Sequence, residues 1–270
     1  MAPIFYDTHA HLDFPDFESD IAELLQRAKA ANVSRIIGIG TDLESSRRAI
    51  RLAEAHEALF AVVGWHPNHA SEAPDDIRDE LAKLAAHPKV VAIGETGIDR
   101  YRLPAPAPGQ PSDLHEMILR KQTRLFHQQL EVACAAGLNC VIHQRAAFEE
   151  TLAVLTPYLD RTKGVFHCFV DGAVAARRVL SLGCLVSFTG ILTFKSAVDV
   201  RASLEMASPG TFMLETDCPF LAPVPYRGKR CEPSYVLHTA DAAAQVKHTD
   251  LQALSAMTCG AAHSFFPKLG

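Results

Sequence analysis

Asp7-Thr8-His9-Ala10-His11 follows a short apolar run, Ile4-Phe5-Tyr6. In a β-strand, residues two apart point to the same side. His9 and His11 therefore present two imidazoles to one point, where a single divalent cation could bind both. Asp7 falls on that same side, placed to orient a ligand as a hydrogen-bond acceptor. Further residues of metal-ligand type end later apolar runs: Glu95 and Asp99 after Val90–Gly94, His143 after Asn139, with Arg145 two residues on, His167 after Gly164, and Glu215 and Asp217 after Thr211. His66 closes the run Leu59–Gly64 in Gly64-Trp65-His66-Pro67. One histidine or acid at a strand end is commonly a structural hydrogen-bonding residue or the cap of the next helix. Five strand ends supplying His, Glu or Asp to one place indicate a shared charge partner. A carboxylate can bridge two cations, and two cations roughly 4 Å apart can activate water and steady both oxygens of an in-line phosphoryl displacement. His9, His11, Glu95, His143, His167 and Asp217 are more ligands than one ion needs, so two ions are expected.

The elements that position these residues alternate. Strands are expected at Ile4–Thr8, Ser34–Gly40, Leu59–Gly64, Val90–Gly94, Asn139–His143, Gly164–Cys168, Cys184–Phe188 and Thr211–Glu215. Helical patterns lie near 17–31, 42–57, 75–86, 117–136, 146–158, 172–182 and 196–206, with two more near 233–246 and 249–264. Alternation predicts a parallel sheet. Eight units in 270 residues fit an α/β fold of the (β/α)8 TIM-barrel type, one domain over residues 1–270, with its active site at the C-terminal ends of the strands. A doubly wound open sheet is the alternative, but no G-x-G-x-x-G follows the first strand. Two segments are irregular. Leu103–Ser112 holds four prolines after the fourth strand, and Leu221–Pro233 holds three, with Arg227, Lys229 and Arg230.

Bulk properties exclude several classes. Hydrophobic residues make up 48% and charged residues 21%, ordinary for a globular enzyme. The net charge of -5 gives no broad nucleic-acid footprint, although bound cations would add local positive charge that formal counting omits. Seven cysteines without a C-x-x-C pair fit reduced thiols in a cytoplasm. No signal peptide is read at the N-terminus, and no apolar run is long enough to span a bilayer, so no membrane partner is expected. No helix shows a spare apolar stripe that would set an oligomeric state. Cys168 and Cys218 are read as packing residues. His56, His69, His87, His115, His127, His238, His248 and His263 are read as surface or structural.

From about residue 5 to 265 the chain resembles the TatD family of metal-dependent deoxyribonucleases, within the amidohydrolase-like superfamily. The motifs are Asp7–Asp13, Gly64–Pro67, Gly94–Asp99, Lys121-Gln122, Phe126, Gln129-Leu130, His143–Arg145, Phe166–Phe169, Ser187–Gly190, Leu214–Asp217 and Pro219–Pro223. The resemblance implies a TIM-type barrel with a binuclear centre of Mg2+, Mn2+ or Zn2+. His9, His11, Glu95 and Asp217 match the ligands of one ion; Glu95, His143 and His167 match those of the other, with Glu95 bridging. His66 and Arg145 match residues lining a phosphate pocket. It implies hydrolysis of DNA phosphodiester bonds, often 3′→5′ on single strands. Four departures stand out: Arg100 precedes Tyr101 where two tyrosines are usual, the Pro-rich loop is about ten residues longer, Cys231 replaces an asparagine, and Thr258–Ala261 replaces a Thr-Thr-x-Asn pattern. The long loop bears on the substrate.

The expected chemistry is two-metal hydrolysis. Asp217 orients the nucleophile and accepts its proton, Glu95 bridges, and His66 and Arg145 balance charge as the phosphorane forms. Arg227, Lys229 and Arg230 are candidate contacts for neighbouring phosphates. The same centre could cleave another ester, as an esterase, a lactonase or a D-aminoacyl-tRNA deacylase. A metal-stabilised scaffold without activity is the non-enzymatic alternative.

Overall fold

Eight strands pair in chain order, all parallel: β1 (Phe5–Ala10), β2 (Val33–Ile39), β3 (Leu59–Val63), β4 (Val90–Asp99), β5 (Asn139–Arg145), β6 (Gly164–Phe166), β7 (Leu185–Phe188) and β8 (Phe212–Leu214). The computed structural model describes residues 2–104 and 113–269. Most of the Pro-rich loop, 105–112, lies outside them. The helices are α1 (Ile21–Ala30), α2 (Leu43–Ala55), α3 (Arg78–Ala85), α4 (Leu114–Ala136), α5 (Phe148–Leu155), α6 (Gly172–Ser181), α7 (Val198–Met206), α8 (Val236–Val246) and α9 (Leu251–Phe265). The first and last strands meet at their C-terminal ends. Ala10 bridges Cys218 in parallel, the Asp217 N–H donates to His9 O at 2.9 Å, and the His11 N–H donates to Cys218 O at 2.9 Å. The expected α/β barrel is therefore the observed fold.

Two cores follow from the strand pattern. One residue set from every strand packs inside the barrel: Tyr6, Ile37, Val62, Val91, Val141, Val165, Leu185 and Met213 belong to it. Ile39, Phe60 and Ala92 add to it, and its other members, among them Phe265, Phe266 and Leu269, come from α9 and the residues after it, which plug the barrel interior. Plugging at the N-terminal ends of the strands fits the contacts that follow: Asn139 Nδ2 donates to Phe265 O, and Lys268 Nζ donates to Ala85 O and His87 O. The other core joins the opposite strand faces to the surrounding helices. Strands buried on both faces read as continuous apolar runs rather than as alternation.

Strand limits moved where the register shifts. β4 runs on to Asp99 instead of ending at Gly94, because pairing resumes after a shift between Ile93 and Thr96. β1 shifts between Asp7 and Ala10. An extra residue of this kind breaks the two-residue repeat. Tyr6 faces the interior and Phe5 the outer core, and past the shift His9 also enters the barrel mouth. Asp7 does not share the His9 side as the simple alternation predicts.

Helix α4 ties the strand ends together. Gln129 accepts from the Trp65 N–H at 2.8 Å and donates to Trp65 O and to Thr96 Oγ1. One turn pair earlier, Gln122 accepts from the Asp99 N–H at 3.0 Å and donates to Asp99 O. Both glutamines are buried. They satisfy backbone groups that the irregular ends of β3 and β4 would otherwise leave unpaired. Among the described residues no helix is long and apolar enough to cross a membrane.

Candidate metal centre

His9 comes from β1 and His11 from the residue just beyond it, and their Nε2 atoms stand 3.3 Å apart. Glu95 Oε2 lies 3.3 Å from His9 Nε2 and 3.7 Å from His11 Nε2. Asp217 Oδ1 lies 3.6 Å and 3.3 Å from the same two atoms. Two ligand atoms about 2.1 Å from one cation stand roughly 3.0–3.4 Å apart, so these four donors are close to a coordination shell. The other oxygen of Glu95 faces a second group. Oε1 is 2.7 Å from His143 Nδ1 and 2.8 Å from His167 Nε2, which are 3.3 Å from each other. Glu95 thus turns one oxygen to each group. Imidazole nitrogens and carboxylate oxygens suit a divalent transition metal or Mg2+ at shared sites.

Among the described residues three overlapping donor triads fall within 4.8 Å: His9, His11 and Glu95; His66, Glu95 and His143; His9, His167 and Glu215. Hydrogen bonding separates ligands from neighbours. His66 Nδ1 accepts from the Asn68 N–H at 3.0 Å, so its proton sits on Nε2, 3.2 Å from Glu95 Oε1. His66 is therefore a donor at the edge of the cluster. Glu215 accepts from the Cys168 N–H at 2.7 Å and from Ser187 Oγ at 2.5 Å, and its Oε1 lies 3.6 Å from His167 Nδ1. Both its oxygens are engaged, so it stands behind His167 rather than in the shell.

Asp99 plays the same part for His143, with Oδ2 at 3.1 Å from His143 Nε2. The Asp99 Oδ1 atom accepts from the Tyr101 and Arg102 N–H groups. Asp7, expected to orient a ligand, does not touch a ring. It accepts from the Thr216 N–H at 2.9 Å and pairs with Thr216 Oγ1 at 2.6 Å, fixing the turn that carries Asp217. The bulge in β1 is the reason. Sequence reasoning gave Asp99 and Glu215 no role, although both end strands as the ligands do.

The turns after the strands adopt left-handed backbone at Ala146, Cys168 and Asp217, with φ of 52°, 47° and 56°. Non-glycine residues there cost about 1–3 kcal/mol each and gather where surrounding structure holds a site in place. For Asp217 that hold is visible: its N–H bonds His9 O, and its own carbonyl accepts from the Phe220 N–H at 3.0 Å.

Burial sets the protonation pattern. It works to raise Glu95, yet the His167, His66 and His9 imidazoles hold that carboxyl well below its ordinary value. Asp217 is likewise lowered against burial, by the His11 hydrogen bond and by His9. Burial and the neighbouring His167 lower His9, with Glu95 opposing. His11, His143 and His167 are raised despite burial, by Asp217, by Asp99 and Glu95, and by Glu95 and Glu215 respectively. Burial takes His66 down to about 4, so it stays neutral at pH 7. Asp99 is held at about 2, because the His143 and backbone hydrogen bonds outweigh burial.

Of the residues expected at the site, His9, His11, His66, Glu95, His143, His167 and Asp217 converge. Arg145 does not. It is exposed, and its guanidinium lies 3.9 Å over the Tyr101 ring. Arg230 pairs with Asp20 at 2.6 Å, which ties it to the N-terminal region. Arg227 rests over Phe194 at 4.4 Å, on the loops after β8 and β7. The set-aside histidines lie elsewhere: His263 Nε2 is 2.6 Å from Tyr6 Oη, and His87 pairs with Glu54.

The TatD related DNase family model matches residues 6–267. The metal-dependent hydrolase YabD of Bacillus subtilis is 34% identical over 264 residues, 97% of this chain and 99% of that one. The 3′-5′ ssDNA/RNA exonuclease TatD of Cronobacter sakazakii is 32% identical over 271 residues, 97% and 98% of the two chains. The crystal structure of YJJV, a TatD homolog from Escherichia coli K12, superposes with a TM-score of 0.87 at 26% identity, covering 97% of this chain and 98% of that one. Fold, donor cluster and relatives agree that the chain belongs to the TatD family of metal-dependent hydrolases.

Proposed function

We propose that this protein is a phosphodiesterase acting on single-stranded DNA from the 3′ end, with two divalent cations in the cluster around Glu95. The observation that bears this reading is the division of Glu95 between two donor groups, Oε2 toward His9, His11 and Asp217, and Oε1 toward His143 and His167. His9, His11, Glu95 and Asp217 would hold one ion; Glu95, His143 and His167 would hold the other. Mg2+, Mn2+ and Zn2+ all suit this donor set. The relative named as a 3′-5′ ssDNA/RNA exonuclease supports the substrate class and polarity. Seven cysteines free of disulfides fit a cytoplasmic setting.

When bound, the ions supply Lewis acidity to the phosphoryl group and lower the pKa of the attacking water. The chain's own residues do the rest. Asp217 keeps its carboxylate ionised and partly open at the mouth, where it orients the water and takes its proton. Neutral His66 presents Nε2–H as a fixed hydrogen-bond donor for a non-bridging phosphoryl oxygen. Arg145, exposed at the C-terminal end of β5, has a guanidinium that can meet a neighbouring phosphate.

The test is hydrolysis of 3′- and 5′-labelled single-stranded DNA with Mg2+, Mn2+ or Zn2+, beside a lactone and an aminoacyl ester. Metal-dependent shortening from the 3′ end is expected. Turnover of the lactone or aminoacyl ester alone would transfer the site to another ester, and turnover of none by fully loaded protein would leave a scaffold. Asp217→Ala should abolish turnover with the fold intact.

A further inference from the structure

Two exposed aromatic residues follow opposite strands of the barrel, each just past the donors. Among the described residues the most exposed large hydrophobic side chains are mostly aliphatic; Tyr101, 67% exposed, and Phe220, 51% exposed, are the aromatic ones. Both lie in turns that hold the site. Tyr101 follows Asp99, whose carboxylate accepts its N–H at 2.7 Å while bonding His143. Phe220 closes the Asp217 turn through its N–H, and its ring lies 6.4 Å from that of His11. Phe14 supports it edge-on at 6.1 Å and stacks on His11 at 4.9 Å. Tyr101 follows β4 and Phe220 follows β8, four strands apart in a closed ring of eight. The two turns therefore sit on opposite sides of the mouth, the Phe220 ring near His11 and Tyr101 on the turn that Asp99 ties to His143.

We propose that Tyr101 and Phe220 are stacking platforms for the two nucleobases flanking the scissile phosphate, so that the substrate is a strand whose bases are free to unstack. The proposal rests on the phosphodiesterase reading and deepens it. A phosphodiester joins two nucleotides that extend in opposite directions, which matches a platform on each side. Stacking on an aromatic face accepts any base, and an arginine guanidinium beside the ring adds to it. The Arg145 guanidinium lies 3.9 Å over the Tyr101 ring, which is 67% exposed. A duplex end keeps its bases paired and stacked and cannot offer them to both rings.

The experiment uses a single-stranded hexanucleotide with an abasic residue on one side or the other of the first scissile phosphate, and the variants Phe220→Ala and Tyr101→Ala. Both positions are exposed, so the variants should fold. For the wild type, each abasic substitution should raise KM about tenfold, within the range of one base–aromatic stack. Each variant should lose sensitivity to one abasic position and keep it at the other, with the loss on KM rather than kcat. Binding is read separately in chelator-treated protein by quenching of 2-aminopurine at either position. Wild-type cleavage that ignores both abasic positions, or variants with wild-type KM and quenching, overturns the platforms while the phosphodiesterase reading stands. If the strand is not cleaved, that reading fails, and quenching decides alone: loss in the matching variant upholds the platforms, and unchanged or absent quenching overturns them.

Discussion

Asp99 Oδ2 and His143 Nε2 meet at 3.1 Å, on the far side of the imidazole from Glu95. The contact fixes the ring so that Nδ1 faces the cluster. Asp99 uses both oxygens as acceptors, one for His143 and the other for the backbone N–H groups of Tyr101 and Arg102. An amide has a single acceptor oxygen. Asp99→Asn should therefore release either the ring or the turn and weaken the second ion about tenfold to a hundredfold, the usual effect of losing such a partner. Titration with Mn2+ followed by calorimetry checks it; unchanged affinity at both sites would show that His143 needs no such support.

Gly97 bears on the same imidazole from the backbone. Its φ is +145°, and a Cβ there would come within 1.9 Å of the His143 carbonyl oxygen. Gly97→Ala should cost roughly 2–5 kcal/mol, as overpacking and backbone strain add. Gly137, at the end of α4 with φ +64° and nothing within 4 Å, is the control. Gly137→Ala should cost only about 1–2 kcal/mol, the left-handed penalty alone. Urea unfolding of the two variants gives the comparison, and equal losses would refute the close-approach argument.

Burial raises the Asp7 carboxyl to about 8, against the hydrogen bonds from Thr216. A folded-state value above the unfolded one means that the native protein binds this proton more tightly. The resulting stability is present in acid, below the unfolded value of 3.8, and is lost as pH rises toward 8. Asp7→Asn keeps an acceptor for the Thr216 N–H and offers its amide to the hydroxyl. In chelator-treated protein, the variant should gain stability relative to the wild type between pH 5 and pH 8.5. Denaturation midpoints at the two pH values measure this, and a pH-independent difference would contradict it.

The barrel was legible because each strand is a short apolar run and each helix an amphipathic stretch. The donors were legible because they end those runs. Three things were not. The register shift in β1 has no sequence mark of its own, so Asp7 was placed on the His9 side when it holds Thr216. Asp99 and Glu215 act through His143 and His167, 44 and 48 residues away, pairings that only the closed barrel creates. Arg145 follows His143 at the expected spacing, but its guanidinium lies over Tyr101 and not in the donor cluster, a contact that sequence spacing does not mark.

The two-ion claim is tested most directly by restoring activity to chelator-treated protein with measured equivalents of Mn2+. Hydrolysis of single-stranded DNA should rise until two equivalents are bound per chain and then level off, and Asp217→Ala should show no turnover at any loading. Full activity at one equivalent per chain, or wild-type rates in Asp217→Ala, would contradict the account.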